Sequence, residues 1–339
     1  MTVETMAAAP TPATTEPTIR VPRGGWRIVA GKEFADHILS IRFYILLLIL
    51  GVAAAVPLYA ASATIRSLAP IATEDPAPFL ALFVLKAFNI DLLRFFAIIA
   101  IVTPLLGLVF AFDGINGERS EGTLPRLLSQ PIYRDDVING KFVAGLAVIG
   151  LVLVAVTMLV VGFGIARLGI VPRTSEILRI VAWLVVTVLY VGIWLAFGTL
   201  LSVAFRRAAE SALVGFGVWV ATALFGTLIA SLVAGLVAPA GVGDIATQLA
   251  NAGTRDMILR LLPINLYSEV SRVILVPSEG VSTPGTIDQL GQLQQQIPTL
   301  YSVDQSLLLV WPQIVAMVAI LVALFAAAYV LFLRQEVRA

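Results

Sequence analysis

There is no cysteine in this 339-residue sequence, and its only histidine is His37. The first absence excludes a disulfide framework and a thiolate metal site. The second excludes an H-E-x-x-H zinc site within the chain. Charge is scarce too: 13% of the residues are charged, where soluble domains carry roughly 25%. A net charge of +1 leaves no nucleic-acid footprint. No G-x-x-x-x-G-K-[ST] loop is present, so the chain cannot hold ATP in the P-loop manner. Residues 1–24 are rich in Ala, Thr and Pro and lack an apolar core. They read as a disordered tail, not a cleaved signal peptide.

Apolar length is what the chain has in abundance. It is 59% hydrophobic, with a mean hydropathy of +0.96. Six long stretches are nearly free of charge: Phe43–Thr64, Leu92–Phe112, Phe142–Ala166, Ile177–Phe205, Ser211–Ala238 and Leu308–Leu333. Each is long enough to cross a bilayer. Each must be helical, because hydrocarbon offers no partner to a free backbone N–H or C=O. The expected fold is therefore an all-α integral membrane protein with six transmembrane helices. Pro57 and Pro104 fall inside spans and predict kinks.

An even number of spans puts both termini on one side. Most of the 22 basic residues fall on that side, including the short Arg206–Arg207 turn and Arg334. The positive-inside rule then makes that side cytoplasmic. The resulting division is a tail at 1–24, an interfacial helix at 25–41, and spans one to five at 42–238 with a cytoplasmic polar loop at 113–141. An extracytoplasmic cap at 239–307, the sixth span at 308–333 and a short cytoplasmic tail at 334–339 follow.

The interfacial helix is read from "GGWRIVAGKEFADHILSIRFY". Trp26, Ile28, Val29, Phe34, Ile38 and Leu39 form its apolar face, with Lys32, Glu33 and Asp36 among its polar positions. Such a helix lies in the headgroup plane, with Trp as anchor and Lys snorkelling. His37 on it is expected to be interfacial or solvated. The cap is expected to hold two or three helices, partly on the bilayer surface, within "ATQLANAGTRDMILRLLPINLYSEVSRVILV" and "TIDQLGQLQQQI". Glu269 and Arg272 there stand three apart, which predicts an ion pair along one helix face.

The polar loop is the most patterned part of the chain: "NGERSEGTLPRLLSQPIYRDDVINGK", Asn116 to Lys141. The second span continues into it as a polar extension that stops at Gly122. Thr123 is a good N-cap, and Pro125 falls in a first turn, where its missing N–H costs little. Leu124, Leu127 and Leu128 stand at i, i+3, i+4 and would line one face of a short helix. That leucine face either docks into a groove on a cytoplasmic partner or packs on the protein's own helices. Asp135 and Asp136 then open the third span, where anions suit the helix dipole.

The stretch "ERSEGTLPRLLSQPIYRDDVINGKFVAG" resembles the cytoplasmic motif of ABC-2-type transporter permeases, near the nitrous-oxide-reductase-maturation branch. The matching residues are Glu118, Glu121, Gly122, Thr123, Leu124, Leu127, Leu128, Pro131, Arg134, Gly140 and Lys141, with Arg119 inside the same run. "GKEFADHILSIRFY", "LLPINLYSEVSRVIL" and the closing "WPQIVAMVAILVALFAAAYVLFLRQEVRA" are similar to the same family. The resemblance implies a half-transporter of the type V exporter kind. Two such permeases, expected as a homodimer, would sit on two ABC ATP-binding subunits, which alone hold ATP and Mg. Thr123 to Leu128 would be the coupling helix in the ATPase groove, and the helix carrying Trp26, Lys32 and Glu33 the elbow. Glu118 and Glu121 would pair with basic groups of the ATPase or of this chain. Localisation in the plasma membrane follows, and the apolar spans suggest lipophilic or drug-like cargo. The rivals are an ion-coupled carrier and a scaffold that passes ATPase-driven motion to an external partner. Span interiors without Asp, Glu or His argue against a proton relay, since Asp91, Arg94, Asp113 and Arg179 lie near the span ends.

Overall fold

The computed structural model describes residues 24–68, 78–84, 94–123, 133–277 and 301–334, and among these every regular element is a helix. The order is α1 (Gly25–Leu39), α2 (Ile41–Leu68), a 3-10 turn (Pro78–Leu80) running into α3 (Ala81–Val84), α4 (Phe95–Ala111) and α5 (Asn116–Ser120). Then come α6 (Arg134–Phe163), ending in a π turn at Gly164–Leu168, and α7 (Thr174–Ala204). The fifth span is α8 (Ala208–Val220), a π turn (Ala221–Gly226) and α9 (Thr227–Val237). α10 (Ile245–Leu259), α11 (Pro263–Leu275) and α12 (Val303–Arg334) follow among the described residues. Among the described residues, six stretches are long and apolar enough to cross a membrane: Ile41–Ala60, Phe95–Ser120, Arg134–Arg167, Thr174–Ala204, Ala208–Val237 and Val303–Arg334. The six expected spans each contain or overlap one of these.

The second and fourth spans form the buried centre. At their crossing, a Cβ on Gly107 would stand 2.7 Å from both Leu195 N and Val191 O. Backbone cannot yield there, so only glycine lets α4 and α7 approach this closely. The outer spans keep apolar faces open instead: Leu48, Val52 and Tyr59 on α2, Leu213, Leu228 and Leu232 on the fifth span, Leu308, Trp311 and Val322 on α12. Faces of this extent suit lipid or another membrane protein, not water.

Pro104 shows how the centre is held. Its ring cannot donate to Ala100 O one turn back, and it crowds that turn. Tyr190 OH of α7 donates to Ala100 O (2.9 Å), and Trp219 Nε1 of the fifth span donates to Ile101 O (2.9 Å). Adjacent spans thus cap the carbonyls around the proline, as membrane helices require. Tyr190→Phe should leave Ala100 O buried without a partner and cost about 1–3 kcal/mol, read as a lowered thermal unfolding temperature in detergent. Unchanged unfolding would show that Ala100 O is satisfied in another way.

At the end of the bundle away from the start of α2, three connections pack inward. Phe79, Leu80, Leu82 and Phe83 are buried, and Phe83 meets Phe95 and Trp183 edge-on. The fully buried Glu176 carboxylate accepts from Phe79 N (2.7 Å) and Arg173 N (2.8 Å). The cap is expected to lie only partly on the bilayer surface, and α11 is not the part that can do so. This helix is sunk into the bundle, with Leu266, Tyr267, Val270, Val273 and Ile274 buried. The reason lies in Tyr267, which stacks on Tyr190 (4.5 Å between ring centroids) and bonds Thr187 (3.0 Å). α10 keeps Ile245, Leu249 and Met257 exposed. The expected Glu269–Arg272 pair does not form. Glu269 instead takes a two-pronged contact from Arg260 (2.7 and 3.0 Å) and a third bond from Gln313 (3.0 Å). The Arg260 fork matches both carboxylate oxygens, which a neighbour along α11 cannot do as well. "TIDQLGQLQQQI" lies outside the described residues.

Candidate functional site

The patterned polar loop springs from α5 and returns into α6, and α1 lies against the same place. α1 and α6 pack closely along their lengths. A Cβ on Gly140 would lie 2.7 Å from Val29 Cβ and 2.8 Å from Trp26 O, so glycine sets the contact distance. The half-buried Trp26 and the buried Val29 of α1 are thereby pressed onto α6.

Lys141, one residue on from Gly140, joins the three elements. Its Nζ lies 2.9 Å from Glu33 Oε1 of α1 and 2.7 Å from Glu118 Oε1 of α5. All three side chains are largely buried, at 11%, 11% and 18% exposure respectively. Lys32 adds a looser contact to Glu33 (3.4 Å) and an exposed one to Asp36 (3.0 Å). Burial alone would raise the Glu33 carboxyl. Lys141, and then Lys32, outweigh it and hold Glu33 below its ordinary value.

His37 is not solvated, which corrects the sequence expectation. It sits edge-on to Phe110 at 5.1 Å, because α1 rests on the second span as well as on α6. Burial pushes its imidazole below the ordinary value and favours the neutral ring, against the pull of Glu33. A cavity of about 30 Å³, lined by Glu33, His37, Phe110, Lys141 and Thr199 among others, lies beside it. That is room for a water molecule.

The second span bends before it reaches this joint, so the polar extension is not one continuous helix. The Ile115 and Asn116 N–H groups leave the helical ladder and donate to Ser202 Oγ of α7 (3.0 and 3.3 Å). α5 then ends at Gly122, whose φ of +69° suits glycine. That turn lets Thr123 N donate to Glu118 O (2.9 Å), and Thr123 Oγ1 donates to the same carbonyl (3.2 Å). Glu121 is exposed beside it, Arg119 is half-buried, and Arg134 opens α6 at the surface. Leu124, Leu127 and Leu128 lie outside the described residues. Arg42 pairs with Asp113 and lies over the Phe112 ring (5.5 Å), tying the start of α2 to the bend.

Of the residues singled out by sequence, Glu33 and Glu118 are brought together, and Lys141 is their bridge. The sequence motif contained Lys141, but nothing in its spacing marked it as the link to α1. These features define a multi-pass, all-helical membrane protein with an ion-paired joint at the root of its polar loop. The chain belongs to the ABC-2 family of transporter proteins, whose family model matches residues 27–337. It is similar to the probable ABC transporter permease protein NosY of Stutzerimonas stutzeri, 33% identical over 122 residues, covering 34% of this chain and 42% of that protein. The protein of the same name in Pseudomonas aeruginosa is 39% identical over 74 residues, 22% of this chain and 25% of that one. The matched stretches thus span less than half the length of either relative.

Proposed function

We propose that this chain is the permease subunit of an ATP-binding cassette exporter, driven by a separate ATPase through residues 123–128. Two permease copies, as a homodimer, and two ATP-binding subunits form the working unit in the plasma membrane. Both termini and the polar loop face the cytoplasm, α1 is the elbow helix, and the cargo is lipophilic. The observation that carries this reading is Lys141 bridging Glu33 and Glu118. A segment that must transmit force needs stiff anchors on both sides. Here the helix before it, the helix after it and α1 are held by one buried cation. Motion delivered to residues 123–128 would therefore move α4–α5, α6 and α1 together. ATP can shift such an equilibrium only as far as it binds one arrangement better than the other, and that difference is made on the ATPase.

The test is affinity purification of the tagged chain in mild detergent, with mass spectrometry and an ATPase assay. Recovery of a P-loop ATPase near one-to-one, with vanadate-sensitive hydrolysis, supports the reading. Recovery of the chain alone, without hydrolysis, overturns it in favour of an ion-coupled carrier. Leu127→Asp should abolish recovery of the ATPase and leave the unfolding temperature unchanged, since it places a charge in an apolar groove. Glu121→Ala should preserve the complex and its ATP hydrolysis but reduce export of a lipophilic dye from reconstituted vesicles. Undiminished export would count against Glu121 as a coupling residue.

A further inference from the structure

The far end of the molecule holds an open cleft of about 380 Å³ between α9, α10 and α11. Arg260 and Glu269 on its wall neutralise each other. Three other charged groups on the wall form no ion pair of that closeness, although Arg260 and Arg255 both act on Asp256 through space. Arg255 and Arg272 have no carboxylate within ion-pair distance among the described residues. Asp256 is 4% exposed, and its Oδ1 is buried without a hydrogen-bond partner. A buried carboxylate oxygen left unpaired is costly unless something donates to it. Thr227 and Ser231 of the fifth span supply hydroxyls on the opposite wall.

Depth narrows the choice of ligand. Thr227 follows Ala208, the first residue of the fifth span, by about 19 residues, or about 29 Å at helical rise. The hydrocarbon core is about 30 Å thick. The cleft therefore lies in the far half of the fifth span, which continues for ten residues past Thr227 to Val237. Leu228, Ile229 and Leu232 stand exposed next to it, on the apolar stretch that continues the span.

We propose that this cleft binds a phosphoethanolamine-type zwitterion, with phosphate on Arg255 and Arg272 and the ammonium donating to Asp256. Guanidinium forks suit phosphate oxygens, and the ammonium supplies a donor to the Asp256 carboxylate, which lines the cleft. The site is separate from the ATPase-coupling joint and does not depend on it. The group comes either from phosphatidylethanolamine in the bilayer or from a soluble phosphoethanolamine ester.

Both sources are tested on the purified full chain in detergent. Native mass spectrometry with equimolar phosphatidylethanolamine and phosphatidylglycerol reads lipid retention, and calorimetry with glycerophosphoethanolamine reads the soluble ligand. Arg255→Gln and Arg272→Gln should each weaken binding about tenfold, the loss of one charge-assisted contact. Asp256→Asn should keep phospholipid bound but lose the preference for ethanolamine. Calorimetric binding with the same arginine dependence, and no lipid retained, supports the chemistry and assigns a soluble source. Retention unchanged in both arginine variants, or no binding of either probe by the unaltered chain, overturns the proposal. An ethanolamine preference that survives Asp256→Asn overturns the assignment of the ammonium to Asp256.

Discussion

Replacing Lys141 by methionine is expected to destabilise the protein by about 3–5 kcal/mol, the usual cost of leaving a buried charge without its counter-ion. Methionine keeps most of the lysine stem and its packing, so the loss is electrostatic. Glu33 and Glu118, each bonded to the same ammonium at 2.9 and 2.7 Å, would face one another as two buried carboxylates. Chemical unfolding in detergent reads the loss directly. The triple change of Lys141→Met, Glu33→Gln and Glu118→Gln should recover most of it, because no buried charge then remains. Failure to recover would mean that Lys141 holds the joint by packing instead. The pH dependence follows from Glu33. Its carboxyl is held below the ordinary value of 4.5 in the folded protein. Its contribution is therefore fully present above that ordinary value and is lost as pH falls through the depressed one. Lys141→Met should flatten this acid limb of stability against pH. Under the function proposed above, the same change in reconstituted complexes should lower export per ATP hydrolysed, since α1 and α5 are no longer tied to α6.

The spans were legible because apolar length alone identifies them: hydrocarbon permits little but a closed helix, and six stretches met the requirement. The stop at Gly122 was legible for an equally local reason, since the chain there needs a positive φ. What sequence could not resolve was which apolar face meets protein and which meets lipid. Both are equally greasy, so nothing in the sequence showed which part of the cap is sunk into the bundle, where Tyr267 anchors α11 against Tyr190 and Thr187. The short apolar run from Phe79 to Phe83 is too short to span a bilayer and so carries no such signal. Yet its burial is among the deepest in the molecule. Long-range charge pairing was equally invisible. Glu33 and Lys141 are far apart in the chain, and no periodicity links them. Glu269 was assigned to Arg272 by helical spacing, whereas the turn after α10 delivers Arg260 with better geometry.

Arg179→Met is the second change expected to carry a large cost, about 3–5 kcal/mol, through the acceptors it would abandon. The guanidinium, 3% exposed, is the knot of the far end. It donates to Ile274 O at the end of α11 (2.7 Å), to Ser306 Oγ in α12 (3.1 Å) and to Tyr301 O just before α12. One side chain of the fourth span thus closes the ends of two other elements, and no second donor to Ile274 O or Tyr301 O is in view among the described residues. Sequence placed Arg179 near a span end, as the structure does, but nothing in it disclosed the burial of that residue. Arg179→Lys keeps the charge but replaces a planar fork with a single ammonium, which cannot hold three acceptors in the same geometry. It should recover less than half of the loss. Hydrogen exchange locates the effect: amides of α11 and the first turns of α12 should lose protection, while those of α4 and α6 keep it. Uniform loss across all spans would instead make Arg179 a determinant of global folding. Unaltered exchange in α11 would mean that Tyr267, stacked on Tyr190, holds that helix in place without it.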